Sequence, residues 1–233
     1  MQVDIWSDVV CPFCYIGKTR LERVARERSV QLQCVWHSFE LDPDAPEVRT
    51  GSHAQHLADK YGMTPAQAEQ QLDGIAAVFQ REGLAFNWRQ ARGGNTRNAH
   101  RIIAAAQALG RGNEAEEAFF HAYFTDGRAV GELATVRAIA HEIGLGDAQI
   151  DAALASVDIE AGLREDFRAA RQMGVRGVPF FVFENKVAVS GAQPDAAFVR
   201  AMERVAPAPL ETIGEGGAVC DEDGCRIPDR GAS

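Results

Sequence analysis

The chain has 233 residues, of which 46% are hydrophobic, enough for one large domain or a domain with a sizeable insertion. Its net charge is −9 and it has no long run of Lys or Arg. This excludes a basic patch that binds nucleic acid or an anionic membrane surface. No apolar segment is long enough to span a bilayer and the N-terminus lacks a secretory pattern, so we expect a cytoplasmic protein. Five cysteines are too few for a disulfide-stapled scaffold, so paired cysteines are expected to be catalytic or metal-binding.

The start of the chain predicts a strand over residues 3–6 and a helix over residues 12–28, and between them stands the motif Cys11-Pro12-Phe13-Cys14. At the first turn of a helix, unpaired N–H groups and the helix dipole favour a thiolate at Cys11. Pro12 suits the first helical position. Cys14 is placed to close a disulfide with Cys11, which indicates a redox site. A zinc-binding pair is the alternative interpretation.

A second strand is predicted over residues 30–38, where apolar and polar residues alternate. A right-handed crossover makes it a parallel neighbour of the first strand. Cys34 lies on its apolar face and is interpreted as a buried, inert thiol. The Asp- and Pro-containing segment 41–46 then marks a boundary.

From this boundary to about residue 173 the chain is predicted to be mostly helical, without an internal repeat. Thr64 and Pro65 supply an N-cap and a first-turn proline for a helix that continues to Gly83. Asn95 is interpreted as the N-cap of another helix and His100 as a residue on its face. Further helices are predicted over residues 113–124, 132–143, 147–155 and 158–173.

The C-terminal part predicts a hairpin of residues 180–184 and 187–190, followed by a helix over residues 195–205. From Pro207 the chain is rich in Gly, Pro, Glu and Asp, which is typical of a mobile tail. This tail holds a second pair, Cys220 and Cys225. We favour a relay that exchanges electrons with the first pair; metal binding and an incidental disulfide are the alternatives.

Two motifs resemble the DsbA-like thioredoxin superfamily, and in particular its FrnE-like branch. They are Asp8-Val9-Val10-Cys11-Pro12-Phe13-Cys14-Tyr15-Ile16-Gly17 and Gly174-Val175-Arg176-Gly177-Val178-Pro179-Phe180-Phe181-Val182-Phe183, the latter followed by Ser190-Gly191-Ala192-Gln193-Pro194. The resemblance covers roughly residues 1–205. It implies an α/β protein with a thioredoxin fold and a helical domain inserted between its βαβ and ββα halves. The expected division is a thioredoxin-like domain of residues 1–38 and 175–206, an inserted helical domain of residues 39–174, and the tail of residues 207–233.

The resemblance also implies how the site is built. A cis peptide bond before Pro179 is expected to place Val178 beside Cys11, where its backbone can pair with an extended substrate. Pro12 and Phe13 are expected to contact the same substrate. Some oxidising members carry a histidine where this chain has Phe13, and that histidine stabilises the reduced form. Its absence here favours a less oxidising pair, used for reduction or isomerisation. Segments like the one from Asn95 to His100 line the cleft in this family.

We therefore expect a protein thiol–disulfide oxidoreductase or isomerase that uses Cys11 and Cys14, with Cys220 and Cys225 as a second redox pair. Its partners would be disulfide- or thiol-containing proteins and a small thiol or a thioredoxin-type protein, with no bound cofactor or metal. One alternative is a glutathione-dependent enzyme of the 2-hydroxychromene-2-carboxylate isomerase type, which Cys14 argues against. The other is a zinc- or redox-sensing protein that uses all four cysteines.

Overall fold

The structure, a computed structural model, describes residues 1–206, 219–221 and 224–226. Six strands are present in the described residues: β1 (Gln2–Ser7), β2 (Gln33–Ser38), β3 (Phe180–Phe183), β4 (Val187–Ser190), β5 (Val219–Asp221) and β6 (Gly224–Arg226). The helices are α1 (Pro12–Glu27), α2 (His53–Tyr61), α3 (Pro65–Arg81), α4 (Arg97–Ala108), α5 (Gly112–Phe120), α6 (Leu133–Glu142), α7 (Asp147–Ala155), α8 (Val157–Gln172) and α9 (Asp195–Val205). A π-helical turn, His121–Thr125, continues α5.

Four of the strands form one mixed sheet in the order β2-β1-β3-β4. β1 and β2 are parallel, with Val3 opposite Cys34, while β3 runs antiparallel to both β1 and β4. The crossover from β1 to β2 passes through α1, as parallel neighbours require. The predicted parallel pair and the predicted hairpin are therefore confirmed. This sheet with its helices is the α/β thioredoxin fold that the sequence predicted.

The two faces of the sheet are covered by different helices because its side chains alternate. Val3 and Ile5 point into the main core, where Phe198 of α9 packs edge-on against Phe181. Trp6 lies on the opposite face with Ala170 of α8 in a second, smaller cluster. The ring nitrogen of Trp6 donates a hydrogen bond of 3.0 Å to the carbonyl of Asp166, which fastens α8 to the sheet.

An aromatic core joins α1 to the helices between β2 and β3. The ring of Tyr15, on α1, stacks on Phe120 with 4.8 Å between centroids and meets Phe79 of α3 edge-on at 5.9 Å. Phe79 and Phe120 are both fully buried. The inserted helices therefore pack directly against the helix that begins at the Cys-x-x-Cys motif.

The helices over residues 65–81, 97–108, 112–120, 133–142, 147–155 and 157–172 lie where the sequence predicted helices, with differences of a few residues at their ends. Thr64 caps α3 as predicted, in a reciprocal pair with Gln67. Two elements were not predicted, namely α2 and the short β5–β6 hairpin. The predicted mobile tail, residues 207–233, lies mainly outside the described ranges. The division of the chain into domains stays a prediction. Within the described residues, no helix is both long and apolar enough to cross a bilayer.

Candidate redox site

Cys11 stands at the N-cap of α1, and Pro12 occupies the first turn. The backbone N–H of Cys11 donates to the carbonyl of Asp8 at 2.9 Å, and the N–H of Cys14 donates to the carbonyl of Cys11 at 3.0 Å. Cys11 contributes no side-chain cap to the helix. Its sulfur is therefore available for other contacts at the positive end of the helix dipole, as the sequence predicted.

Cys11 and Cys14 lie 3.3 Å apart, and both are free thiols. Cys11 keeps 5% of its surface exposed and Cys14 only 1%, so Cys11 is the more accessible of the two. Burial raises the pKa of Cys14 well above its usual value, and hydrogen bonding to Cys11 and the charge of Cys11 raise it further. Of the two, Cys14 is therefore held as the protonated thiol.

The segment Val178–Pro179 faces Cys11 and is joined by a cis peptide bond, as the resemblance implied. The Cys11 thiol donates to the carbonyl of Val178 at 3.6 Å. Pro179 is buried, whereas Val178 is half-buried. The carbonyl of Val178 is thus in contact with the sulfur of Cys11, the more exposed of the two cysteines.

A glycine lets α1 approach this segment closely. A Cβ atom on Gly17 would lie 2.9 Å from a ring carbon of Phe181 and 3.1 Å from the ring of Pro179. Real Cβ atoms essentially never come as near to a neighbour as the first of these distances, and the second is tighter than most real contacts. The absence of a side chain at Gly17 therefore lets α1 pack directly against Pro179 and Phe181, next to Val178 in the chain.

The surface around the sulfur of Cys11 is apolar. Phe13 is 47% exposed, which is high for a side chain of this size, and Pro12 beside it is half-buried. Neither residue offers a charge or a side-chain hydrogen bond to Cys11. The exposed Phe13 ring, which follows Pro12 in the chain, is thus an apolar group two residues from Cys11.

Behind the cysteines, the structure brings together polar groups that the sequence analysis did not select. The hydroxyl of Ser7 donates to a carboxylate oxygen of Glu116 at 2.5 Å, and both residues are 1% exposed. Asp8, also 1% exposed, accepts a 2.7 Å hydrogen bond from the N–H of Leu41. Ser7 is the last residue of β1, and Glu116 lies on α5, one of the helices between β2 and β3.

His100 completes this buried group, which corrects its interpretation as an ordinary helix-face residue. Its Nε2 atom lies 3.5 Å from a carboxylate oxygen of Asp8, an ion-pair distance but a poor hydrogen bond. Burial alone lowers the pKa of His100, but Asp8 and the charges of Glu116 and Glu40 hold it above its usual value. The carboxylates beside the site therefore favour the protonated form of His100.

Asn95 is not the N-cap of α4; Thr96 is. The side-chain oxygen of Asn95 instead accepts from the N–H of Arg97 at 3.0 Å, and its amide donates to the carbonyl of Pro43 at 2.9 Å. Although Asn95 lies one residue before Thr96, its side chain still accepts a hydrogen bond from a free N–H group of the first turn. The capping hydrogen bond expected of Asn95 is therefore present, although the N-cap position falls on Thr96, whose side chain makes no such bond.

One sequence signal pointed to Glu116. On a helix, residues three and four positions apart share a face, so Glu116 lies on the same face as Phe119 and Phe120. Both phenylalanines are fully buried. A carboxylate on an apolar stripe is rare without a partner, and this pattern marks it as a group of interest.

The other three cysteines are Cys34 on β2 and the pair Cys220 and Cys225 on β5 and β6. Cys34, on β2, is half-buried, and burial raises the pKa of its thiol to about 11, which fits an inert role. Cys220 and Cys225 stand opposite each other in the β5–β6 hairpin. The described residues contain no cluster of three or more His, Cys, Asp or Glu side chains with the geometry of a metal site.

Comparison with known proteins agrees with this architecture. The sequence profile of the DSBA-like thioredoxin domain matches residues 2–203, so the chain belongs to the DSBA-like thioredoxin domain family. A probable DsbA oxidoreductase from Streptomyces coelicolor is 35% identical, with a TM-score of 0.82 over 98% of this chain and 99% of the other. The family and this neighbour make the chain a redox protein of the thiol–disulfide oxidoreductase type.

Two more distant structures share the fold. The cytosolic disulfide reductase DsbM from Pseudomonas aeruginosa, whose structure contains GSH, is 20% identical, with a TM-score of 0.57 over 88% of this chain and all of the other. A 2-hydroxychromene-2-carboxylate isomerase is 18% identical, with a TM-score of 0.63 over 88% of this chain and 96% of the other.

Proposed function

We propose that this protein is a protein disulfide reductase or isomerase in which Cys11 is the attacking cysteine and Cys14 the resolving one. The observation that supports it most is the placement of Cys11 between Val178 and Cys14, 3.6 Å from the carbonyl of the first and 3.3 Å from the second. Cys11 is also more exposed than Cys14. A substrate disulfide approaching the cleft therefore meets Cys11 first.

In the reducing direction, the Cys11 thiolate attacks one sulfur of a substrate disulfide, and the other sulfur leaves as a thiolate. Cys14 then attacks the sulfur of Cys11, which releases the second substrate thiol and forms the Cys11–Cys14 disulfide. Two electrons have passed to the substrate, and a small thiol or a thioredoxin-type protein restores the dithiol. We propose protein substrates because Phe13, Pro12 and Val178 offer an apolar surface beside the sulfur.

The direction of catalysis follows from what surrounds Cys11. Strong oxidants owe their potential to contacts that stabilise the reduced form. Phe13 carries neither charge nor a hydrogen-bond donor, so the side chain between the two cysteines offers no such stabilisation. We therefore propose reduction or isomerisation, in a reducing compartment such as the cytoplasm, where paired cysteines are typically catalytic.

Reductant-driven reduction of insulin tests this function. We expect the wild-type chain to accelerate precipitation of the insulin B chain above the rate with reductant alone, and Cys11→Ser to lose the acceleration entirely. Cys34→Ser is the matched control, since Cys34 is a half-buried thiol on β2, and it should keep wild-type activity. A wild-type chain without activity above background would contradict the proposal and favour the glutathione-dependent enzyme.

We also propose that Cys220 and Cys225 form a second redox pair that exchanges with Cys11 and Cys14. Support comes from the register of β5 and β6, in which Cys220 is the direct partner of Cys225. In the same insulin assay, Cys220→Ser/Cys225→Ser should lower the rate by about half when a thioredoxin-type protein supplies the electrons. An unchanged rate would reject the relay and leave the Cys11–Cys14 chemistry intact.

A further inference from the structure

A pocket of about 190 Å³ lies at the edge of the sheet where the redox pair stands. Its residue Ser38 ends β2 and is the register partner of Ser7, which ends β1 shortly before Cys11. Phe39, the residue after Ser38, donates its N–H to the carbonyl of Ser7 at 3.0 Å. Because β1 and β2 are parallel, the pocket and Cys11 lie beyond the same ends of two neighbouring strands.

Apolar side chains lead from the pocket to the residue that contacts Cys11. Val178, whose carbonyl contacts the Cys11 sulfur, and Phe39 both pack against the smaller cluster around Trp6. The ring of Phe39 lies 5.5 Å from the ring of Phe167, a half-exposed residue that lines the pocket. An extended polypeptide covers about 3.3 Å per residue. A substrate that pairs with the backbone of Val178 can therefore place a side chain in the pocket a few positions from its cysteine.

The size and walls of the pocket fit one side chain. Its volume is below the range of about 300–1,000 Å³ that is usual for cofactors and drug-sized ligands. Pro43, Leu163 and Phe167 supply apolar walls, which suit the methylene groups of a side chain with a polar end.

The charged groups of the pocket form two layers. The side chains of Glu40 and Glu160 lie underneath, 11% and 14% exposed, whereas those of Arg97 and Arg164 lie outside, 40% and 68% exposed. One oxygen of Glu40 accepts from Arg97, and its other oxygen is closed to solvent. Both oxygens of Glu160 accept from arginines, one from Arg97 and Arg164 and the other from Arg101. The carboxylates therefore hold the guanidinium groups in place and are themselves covered.

The guanidinium groups keep donors for a ligand. A guanidinium has five N–H groups, and Arg97 uses three of them on Glu40 and Glu160. Arg164 directs Nε and Nη2 at Glu160, while its Nη1 has no partner in the part of the chain that the structure describes. A group that enters the pocket thus meets N–H donors and positive charge, which match a carboxylate.

We propose that this pocket selects protein substrates that carry an Asp or Glu side chain a few positions from the attacked cysteine, with Arg97 and Arg164 binding its carboxylate. This inference rests on the proposed function and deepens it by naming the substrate class. It also differs from what the overall charge would give. A chain with a net charge of −9 attracts cationic substrates at long range, so a preference for acidic ones must come from a local site.

Activated peptides test this preference. Each peptide is acetylated and amidated at its ends and carries one cysteine as a 2-pyridyl disulfide, with Glu, Gln or Lys placed in turn at each position on either side. The Cys11 thiolate attacks the peptide sulfur, and pyridine-2-thiolate leaves with the electron pair and is followed by its absorbance. The full-length chain with Cys14→Ser/Cys34→Ser/Cys220→Ser/Cys225→Ser confines the reaction to Cys11.

At one position, we expect Glu to lower the half-saturating peptide concentration by about threefold to tenfold relative to Gln, and Lys to raise it, as for partly exposed ion pairs. The maximal rate should be the same for the three peptides, because the pocket lies away from the reacting sulfurs and binds the substrate and the transition state equally. Arg164→Gln should abolish the difference between the Glu and Gln peptides, and Arg164→Glu should reverse it in favour of Lys.

Arg168→Gln is the matched control. Arg168 lies one turn further along α8, is similarly exposed and pairs with Glu165, and it does not line the pocket. The same loss of charge there should leave the preference for Glu unchanged.

Equal half-saturation for Glu and Gln peptides at every position, or a preference for Lys, would overturn the inference. A preference that survives Arg164→Gln, or that Arg168→Gln abolishes as well, would do the same, since it would not come from the pocket. A chain that attacks all peptides alike and reduces insulin fails this inference only. One that prefers the acidic peptides but leaves insulin intact fails the proposed function only, and one that reacts with neither fails both.

Discussion

Cys14→Ser should trap protein substrates on Cys11 as mixed disulfides. Without the Cys14 thiol, the bond between Cys11 and a substrate sulfur has no neighbour to break it, so adducts accumulate. They should appear as high-mass species on a non-reducing gel with a reduced protein variant and an oxidised substrate, and disappear on addition of reductant. The wild-type chain should show almost none, because Cys14 lies 3.3 Å from Cys11 and resolves them.

The matched variants test the order of attack. Cys11→Ser and the double variant Cys11→Ser/Cys14→Ser should give no adducts, since the buried Cys14 thiol has a raised pKa and only 1% of its surface exposed. Adducts with Cys11→Ser but not with Cys14→Ser would reverse the roles that we assign to the two cysteines.

Gly17→Ala should destabilise the fold and impair the site together. The new methyl group would clash with the side chains of Pro179 and Phe181. Because Phe181 is fully buried, its ring cannot move aside without disturbing the core. Overpacking of this kind costs about 1–3 kcal/mol of unfolding free energy. The strand and Pro179 must also shift away from α1, which weakens the contact of Val178 with Cys11. Denaturant unfolding measures the first effect and insulin reduction the second.

Gly74→Ala is the matched control for this substitution. Gly74 is also in the interior of a helix, α3, but a Cβ atom there meets nothing within 4 Å. The alanine should therefore stabilise the chain by up to about 1 kcal/mol through its higher helix propensity, with activity unchanged. Equal effects of the two substitutions would show that the packing at Gly17 is not special.

The sequence predicted those parts of the site that depend on local signals. An apolar strand, an N-terminal proline and two cysteines one turn apart are contiguous in the chain, so β1, α1 and the redox pair were identifiable together. Val178 and Pro179 lie far along the chain from Cys11, and only the family resemblance connected them to it. The structure places Val178 in contact with Cys11.

The rest of the site depends on tertiary packing. Glu116 and His100 belong to helices in which periodicity predicts burial but not the identity of a neighbour. It is the packing of α4 and α5 against β2, the neighbour of β1, that brings them to Ser7 and Asp8. The helix α2 was missed because its polar composition hides an apolar side that buries only Ala54 and Ala58. Its cap residues, Ser52 and Gly62, are nevertheless regular start and stop signals.

The most direct test of the account is a redox titration of the full-length chain in glutathione buffers, with acid quenching, alkylation and peptide mass spectrometry. We predict that Cys11 and Cys14 lose alkylation together, at a single ratio of reduced to oxidised glutathione, and regain it together when the ratio is reversed, while Cys34 stays a thiol. Independent modification of Cys11 and Cys14, each as a separate glutathione adduct without a bond between them, would contradict the claim that they form one redox-active pair.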